Sequence, residues 1–335
     1  MTADDVAFTP SEGVRLAHAV VASVCERAGI RALSIKGPVA EHYEFRRPRL
    51  AADADIWVDP AKWTDTCLLL QDRGWHTRVG RQTPSLLPQH SLTLIHNSWP
   101  CDIDLHRAFP GFFADENTVF EALWKGHQEI AIGHRTVKIP SRAASAAIAI
   151  LHSLRTVNSS RLRRERSETE RIVRQEFSTD EKREFYEVAR AGGALWTMRD
   201  FIASAELGKP EVDVSLSTQA NWTLFQNNND LGTIAAWWAN VHSVPMHRRP
   251  THLLHALWVP RDEIPRNSRE ERPSLYEYIS YQAKRLVRGV RGTLLHRQRV
   301  RRLAANKNAR ASRRKRKSWL GNSRAEHRIP SDPTI

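Results

Sequence analysis

The chain has 335 residues, of which 51 are Lys or Arg and 37 are Asp or Glu, and its hydrophobic share of 41% is enough for a packed core. Three cysteines without CxxC spacing exclude a disulfide framework and a zinc cluster, and they fit a reducing, cytoplasmic setting. No apolar run reaches the roughly 20 residues that a membrane span needs, and the first residues lack the pattern of a signal peptide.

The first hundred residues alternate between helical and extended patterns. Helical spacing of apolar residues predicts helices over 11–29, 39–45 and 60–73. Short apolar or alternating runs predict strands over 31–35, 53–58, 75–79, 91–96 and 101–105. Such alternation predicts an α/β (α+β) fold with a mixed sheet covered by helices.

From residue 141 onward the pattern becomes helical. Helices are predicted over 142–157, 161–176, 180–191, 194–206 and 231–241. The fold class expected for the whole chain is therefore a mixed α/β part followed by an all-α C-terminal part.

The C-terminal segment carries almost all of the excess positive charge. Residues 281–335 contain 17 Lys and Arg against 2 acidic residues, so the rest of the chain is close to neutral. Residues 275–305 are helix-like, whereas 306–317 have too little apolar content to pack and are expected to be disordered. Two interpretations stay open for this tail: a solvated extension without a binding role, or attachment to nucleic acid or another polyanion such as anionic lipid.

Two acid pairs of identical spacing lie in predicted strands. They are Asp53-Ala-Asp55 and Asp102-Ile-Asp104. Residues i and i+2 of a strand point to the same face, so each pair aims both carboxylates one way. Gathered carboxylates repel and are usually tolerated with a cation between them, which predicts a site for a hard metal ion.

A predicted turn precedes the first acid pair. Lys36-Gly37 follows a short strand and opens a helix, a position where amide groups and a positive side chain could meet a phosphate. Two carboxylates on the next strand can bridge two Mg²⁺ ions about 3.5–4 Å apart, and a third from a neighbouring strand can accept the proton of an attacking hydroxyl. This combination suits in-line displacement at the α-phosphate of a nucleotide.

These residues resemble an uncharacterised bacterial nucleotidyltransferase family within the polymerase-β-like nucleotidyltransferase superfamily. The resemblance covers about residues 10–205 and is carried by Ile35-Lys36-Gly37, by Arg49 before Asp53-Ala-Asp55, by Asp104-Leu105-His106 and by Ile139-Pro140 before a helix. Two positions depart from the family pattern. Pro38 follows Gly37 and removes an N–H donor, and Arg107 stands where Trp is common.

The resemblance implies roles for six residues. Asp53, Asp55 and Asp104 would be the catalytic residues and metal ligands for two Mg²⁺ or Mn²⁺ ions, with Asp104 as the base and Asp102 as a bystander. Lys36, Gly37 and Arg49 would bind the NTP.

The implied reaction moves a nucleoside monophosphate from the NTP to an acceptor hydroxyl or phosphate of a small molecule, peptide, RNA or protein. Residues 1–140 would be the catalytic domain, 141–275 a helical acceptor-side domain, and 276–335 a basic helix and tail. The alternative is a non-catalytic or antitoxin-like regulatory protein that binds nucleotide or nucleic acid through the tail.

Overall fold

A computed structural model describes residues 8–78, 89–156 and 159–211, together with short pieces between 213 and 287. Five strands form one mixed sheet in the order β1-β2-β5-β4-β3, in which β2 and β5 are parallel and the other neighbours are antiparallel. The strands are β1 Ala32–Ser34, β2 Asp53–Val58, β3 His76–Thr77, β4 Ser91–Ile95 and β5 Asp102–His106. The predicted mixed α/β sheet is confirmed.

Alternation along β2 and β5 fixes which face of the sheet is apolar. Ala54, Ile56 and Val58 point to one face, where they meet Ile103 and Leu105 of β5. This face is covered by helices α1 (Pro10–Arg27) and α3 (Trp63–Gln71). Because strand side chains alternate, the acidic residues of both strands must lie on the opposite face.

The opposite face packs against later helices. Helix α2 (Gly37–His42) precedes β2, and the mostly apolar helix α5 (Arg142–Leu154) crosses the same side of the sheet. Trp57 of β2 belongs to the large core cluster that also contains Ile148 and Leu151 of α5. The helices that follow are α6 Ser160–Gln175, α7 Thr179–Ala191 and α8 Arg199–Ser204.

The segment between β5 and α5, for which the sequence predicts no element, contains a helix and a hairpin. Helix α4 (Glu116–Trp124) is capped by Asp115, and strands β6 (Gln128–Ile132) and β7 (Arg135–Ile139) pair antiparallel. The two residues that join these strands, Gly133 and His134, both have positive φ, as a tight I′-type hairpin turn requires.

Most predicted elements are found within a few residues of their expected bounds. The helix expected over 194–206 is shorter and is confined to α8, while the helix expected over 231–241 lies outside the described residues. One core cluster joins residues from both sides of position 140, and the three-part domain division stays a prediction. Within the described part of the chain, no helix is both long and apolar enough to cross a bilayer.

Candidate metal and nucleotide site

The parallel register of β2 and β5 brings the two acid pairs side by side. Asp53 lies opposite Asp102, and Asp55 lies opposite Asp104. All four side chains therefore project from the same face of the sheet, on the side of α2 and α5. The three carboxylates singled out by sequence, those of Asp53, Asp55 and Asp104, belong to this one patch.

Asp55 is the most buried of these carboxylates and has two nitrogen partners. Its Oδ1 accepts a hydrogen bond from Lys36 Nζ at 2.5 Å and lies 2.9 Å from His106 Nε2. Burial alone would raise the pKa of Asp55, but Lys36 and His106 outweigh it and hold the pKa well below its usual range. Asp55 is therefore ionised and accepts a hydrogen bond from His106 Nε2–H, while burial and Lys36 lower the pKa of that imidazole.

Asp53 has a different environment from Asp55. Among the residues that the structure describes, no Lys, Arg or His forms an ion pair with it. Burial raises the pKa of Asp53 to about 6, and the neighbouring charges of Asp55 and Asp104 act in the same direction. A carboxylate held against two others without a cation of its own is the feature that a bound metal ion would relieve.

Asp104 is oriented by the antiparallel neighbour of its strand. Thr93 of β4 donates a hydrogen bond from Oγ1 to Asp104 Oδ1 at 2.6 Å. One ligand atom from each of Asp55, Asp104 and His106 lies within 4.8 Å of the other two. Asp102 is instead occupied by Arg78, whose Nη2 lies 2.7 Å from Asp102 Oδ2. The two residues of the second acid pair thus have different partners.

The donor set fits a hard divalent cation. Carboxylate oxygens are the protein ligands that Mg²⁺ and Mn²⁺ prefer, and those of Asp55 and Asp104 belong to the close group, while Asp53 projects from the same face of the sheet outside that group. The imidazole nitrogen of this group, His106 Nε2, is already engaged with Asp55, so it orients a ligand rather than adding a donor. The close group of Asp55, Asp104 and His106 is therefore compatible with a hard divalent cation.

The Lys36-Gly37 turn lies at the edge of the acid patch. Lys36 and Gly37 both have positive φ, and the Ile35 amide donates to the carbonyl of Asp55, which ties the turn to β2. The amides of Val39 and Ala40 both donate to the Lys36 carbonyl. Because these amides are engaged, the turn offers a phosphate the charge of Lys36 more than a row of backbone donors.

Lys36 points to the acid patch in this structure. Its ammonium contacts Asp55 and lies 5.3 Å from the centre of the Phe109 ring. Behind the turn, buried His18 of α1 has Nδ1 3.0 Å from Ser34 Oγ, and its Nε2 lies 3.8 Å from where a Cβ on Gly37 would be. The turn is thus supported from below by α1.

A cleft of about 340 Å³ extends from Asp53 and Asp55 to helices α5 and α6. Its walls are partly apolar and carry the cationic side chains of Lys36, Arg46, Arg49 and Arg161. Arg49 Nη1 lies 3.6 Å from Oε1 of Glu165 on α6, so the Arg49 side chain extends across the cleft. A cleft of this size beside a carboxylate patch can take a small molecule whose anionic part faces the basic wall.

Sequence reasoning did not find Thr93 and His18, and it included His106 only as part of the Asp104-Leu105-His106 motif. Thr93 lies in an ordinary alternating strand, and nothing in its neighbourhood along the chain marks it as a partner of Asp104. His18 lies on the apolar face of α1. Only the strand order and the packing of α1 bring these residues to the site.

Two solved structures are weakly similar to this chain. The solution structure of the antibiotic-resistance factor ANT(2'')-Ia is 13% identical and matches 59% of this chain and 97% of its own, with a TM-score of 0.37. The crystal structure of an antigenic nucleotidyltransferase-like protein from Paracoccidioides brasiliensis is also 13% identical, with coverage of 61% and 96% and the same TM-score. No protein-family profile and no curated protein sequence matches the chain. Likeness at this level assigns no activity.

Proposed function

We propose that this chain is a Mg²⁺- or Mn²⁺-dependent nucleotidyltransferase, which moves a nucleoside monophosphate from an NTP to an acceptor hydroxyl or phosphate. The observation that carries the proposal is that Asp53, Asp55 and Asp104 project from one face of two parallel strands, with Asp53 and Asp55 lining a cleft that has a basic wall. Phosphoryl-transfer sites need this combination because charge on both the nucleotide and the carboxylates must be neutralised.

In this proposal all three carboxylates, Asp53, Asp55 and Asp104, would hold the metal ions, and Asp104 would also act as the base. The ions, when bound, would neutralise phosphate charge and align the nucleotide. Asp104 takes the proton from the acceptor hydroxyl as its oxygen forms a bond to the α-phosphorus. The bond from the α-phosphorus to the bridging oxygen breaks, and pyrophosphate leaves with the electron pair. Thr93 fixes the direction of the Asp104 carboxylate.

In the proposed reaction the Lys36 side chain would move away from Asp55 and contact the nucleotide. A cation bound at Asp55 would compete with the Lys36 ammonium for the same oxygen, and Lys36 would then be available to a phosphate group. Arg49, held by Glu165 across the cleft, would contact the nucleotide in the same way. The positive φ of Gly37 lets the chain turn sharply beside this position.

Metal binding tests the site without knowledge of the acceptor. Manganese titration followed by electron paramagnetic resonance, with and without NTP, should show binding that Asp53→Asn and Asp104→Asn weaken by at least about tenfold. Asp102→Asn is the matched control because it makes the same charge change on the same strand and should change binding by less than about threefold. Equal loss in the control and in Asp104→Asn would contradict the assignment.

The second candidate is a nucleotide- or nucleic-acid-binding regulatory protein that has lost turnover. The observation that favours it is the Lys36–Asp55 ion pair, since a lysine that stays on Asp55 would replace the metal permanently. This candidate predicts NTP binding that does not depend on Mg²⁺ and is unaffected by Asp104→Asn. Binding of polyanions that is lost on deletion of residues 306–335, without NTP consumption, would support it further.

A further inference from the structure

An arginine without an ion pair lies beside the acid patch. Arg155 directly follows the last residue of α5, and its Nε is buried without a hydrogen-bond partner in the described part of the chain. Three other arginines near the site, Arg46, Arg49 and Arg78, each pair with a carboxylate, at 2.8, 3.6 and 2.7 Å. Arg155 forms no such pair with any residue that the structure describes. A guanidinium is always charged and is costly to bury without an anion, so Arg155 is a candidate anion-binding residue.

Arg155 continues the face of α5 that covers the cleft. Ile148 and His152 line the cleft, and steps of four and then three residues place them and Arg155 on one side of the helix. Burial lowers the pKa of Arg155, and the negative charges of Asp55 and Asp104 oppose this effect. The guanidinium is therefore close to both carboxylates, although neither forms an ion pair with it.

Two histidines lie near Arg155. His152 on α5 and His90, directly before β4, each have a buried Nδ1 without a hydrogen-bond partner among the described residues. The His90 ring lies 6.3 Å from the ring of His106 and 5.7 Å from that of Phe225. Burial lowers the pKa of His90 to about 2 and that of His152 to about 3, and the charge of Arg155 acts in the same direction on both. Both imidazoles are therefore neutral with one N–H each, and together with Arg155 they form a donor cluster.

The cleft and the donor cluster lie toward opposite ends of the parallel strands. Asp53, the first residue of β2, lines the cleft, whereas His106, the last residue of β5, lies beside the donor cluster. Asp55 and Asp104 face each other between these ends. In an in-line displacement the attacking oxygen and the leaving pyrophosphate are on opposite sides of the α-phosphorus. With the nucleotide in the cleft, the acceptor would therefore approach from the side of the donor cluster.

We infer that the donor cluster binds an anionic group of the acceptor, a phosphate or a carboxylate. This inference rests on the proposed nucleotidyl transfer and adds the class of acceptor to it. A guanidinium matches either group with two parallel N–H···O bonds, and the neutral imidazoles add further donors. The charge of Arg155 would also offset the repulsion between this group and the carboxylate of Asp104.

Binding of inorganic phosphate tests the donor cluster without metal, nucleotide or acceptor. Calorimetric titration of the full chain in EDTA should show phosphate binding that Arg155→Gln weakens by at least about tenfold. Arg155→Lys keeps the charge without the guanidinium fork and should weaken binding by at least about threefold, and it replaces Arg155→Gln if thermal melting shows that variant to be unfolded. Arg190→Gln is the matched control because Arg190 is an exposed arginine on α7, and it should bind phosphate as the unaltered chain does.

Competition and fractionation test whether the anion belongs to the acceptor. Phosphate should stay bound when α,β-methylene-ATP and Mg²⁺ saturate the cleft. When a cell extract is separated by anion exchange before nucleotide labelling, the acceptor should be in the retained fraction. Absence of labelling in every fraction would count against the proposed transfer, and the phosphate titration would still decide whether the donor cluster binds an anion.

Three results would overturn the inference. Lack of phosphate binding, or equal affinity of the unaltered chain and Arg155→Gln, would mean that Arg155 only balances the charge of the acid patch. Displacement of phosphate by the nucleotide analogue would assign the donor cluster to the phosphates of the nucleotide. An acceptor found only in the unretained fraction would mean that the transfer does not require an anionic group.

Discussion

Replacement of a metal ligand should stabilise the metal-free protein, and Asp53→Asn is the variant that shows it. Burial raises the pKa of Asp53 to about 6 from an ordinary value of 3.8, and the negative charges of Asp55 and Asp104 act in the same direction. The folded state therefore binds its proton more tightly than the unfolded state does. By linkage, stability falls as pH rises from about 4 to about 6, and the loss stays constant above that range.

The size of this effect follows from the difference between the two pKa values. A carboxyl whose pKa rises from 3.8 to about 6 costs the folded state about 3 kcal/mol at neutral pH. Solvent screening of the partly exposed group reduces this to about 1–2 kcal/mol. Asparagine keeps the shape without the charge, so Asp53→Asn should be more stable than the unaltered chain by this amount at pH 7 and equal to it near pH 4.

Urea unfolding at several pH values, with EDTA present, measures this difference. Asp200→Asn is the control because the Asp200 side chain is 96% exposed, and it should change stability by less than about 0.5 kcal/mol at every pH. Added Mg²⁺ should then stabilise the unaltered chain more than it stabilises Asp53→Asn. An Asp53→Asn variant that is less stable at pH 7, or whose advantage does not depend on pH, would refute the reasoning.

Three further predictions concern contacts around the site and the fold. Asp55→Asn should lower the free energy of unfolding, measured in urea, by about 3–5 kcal/mol because it leaves half-buried Lys36 without its partner. The double variant with Lys36→Met should regain most of this stability, and equal stability of the single and double variants would contradict the prediction. Thr93→Val should cost about 1–2 kcal/mol through the lost hydrogen bond to Asp104, and an unchanged urea midpoint would argue against that bond. Gly133→Ala should cost about 1–3 kcal/mol, since φ is +58° and its Cβ would lie 2.7 Å from a backbone oxygen of α1; an unaltered melting temperature would count against the hairpin geometry.

Replacement of Asp55 should affect the fold as well as the reaction, which differs from the sequence-based expectation. From sequence, alanine substitution of any of the three carboxylates is expected to abolish transfer and leave the fold intact. The expectation changes for Asp55 because its replacement leaves the buried positive charge of Lys36 without an ion-pair partner. Asp53 and Asp104 remain the positions where activity and stability can be separated.

The acid strands could be predicted from sequence because both signals are local. Alternation of Asp53, Asp55 and Trp57 with three apolar residues defines one strand and its polar face, and the same holds for β5. The hairpin β6–β7 was missed because its turn, Gly133-His134, is not one of the strong turn pairs such as Asn-Gly.

The acidic residues of the two pairs have different partners. These partners depend on the order of the strands in the sheet, so the sequence could predict them only in part. Arg78 reaches Asp102 and Thr93 reaches Asp104 because β3 and β4 continue the sheet beyond β5. Strand order sets these neighbours, and a single sequence does not specify strand order. The Lys36–Asp55 contact likewise depends on how the turn after β1 folds back over β2.

Nucleotide labelling is the most direct test of the proposed transfer. The chain is incubated with Mg²⁺, a cell extract that supplies the acceptor, and NTPs labelled at either the α- or the γ-phosphate. The account predicts an acceptor labelled only from the α-phosphate, with the γ-label released in pyrophosphate, and no labelling by Asp53→Asn or Asp104→Asn. Transfer of the γ-label, or α-labelling that survives in both variants, would contradict it.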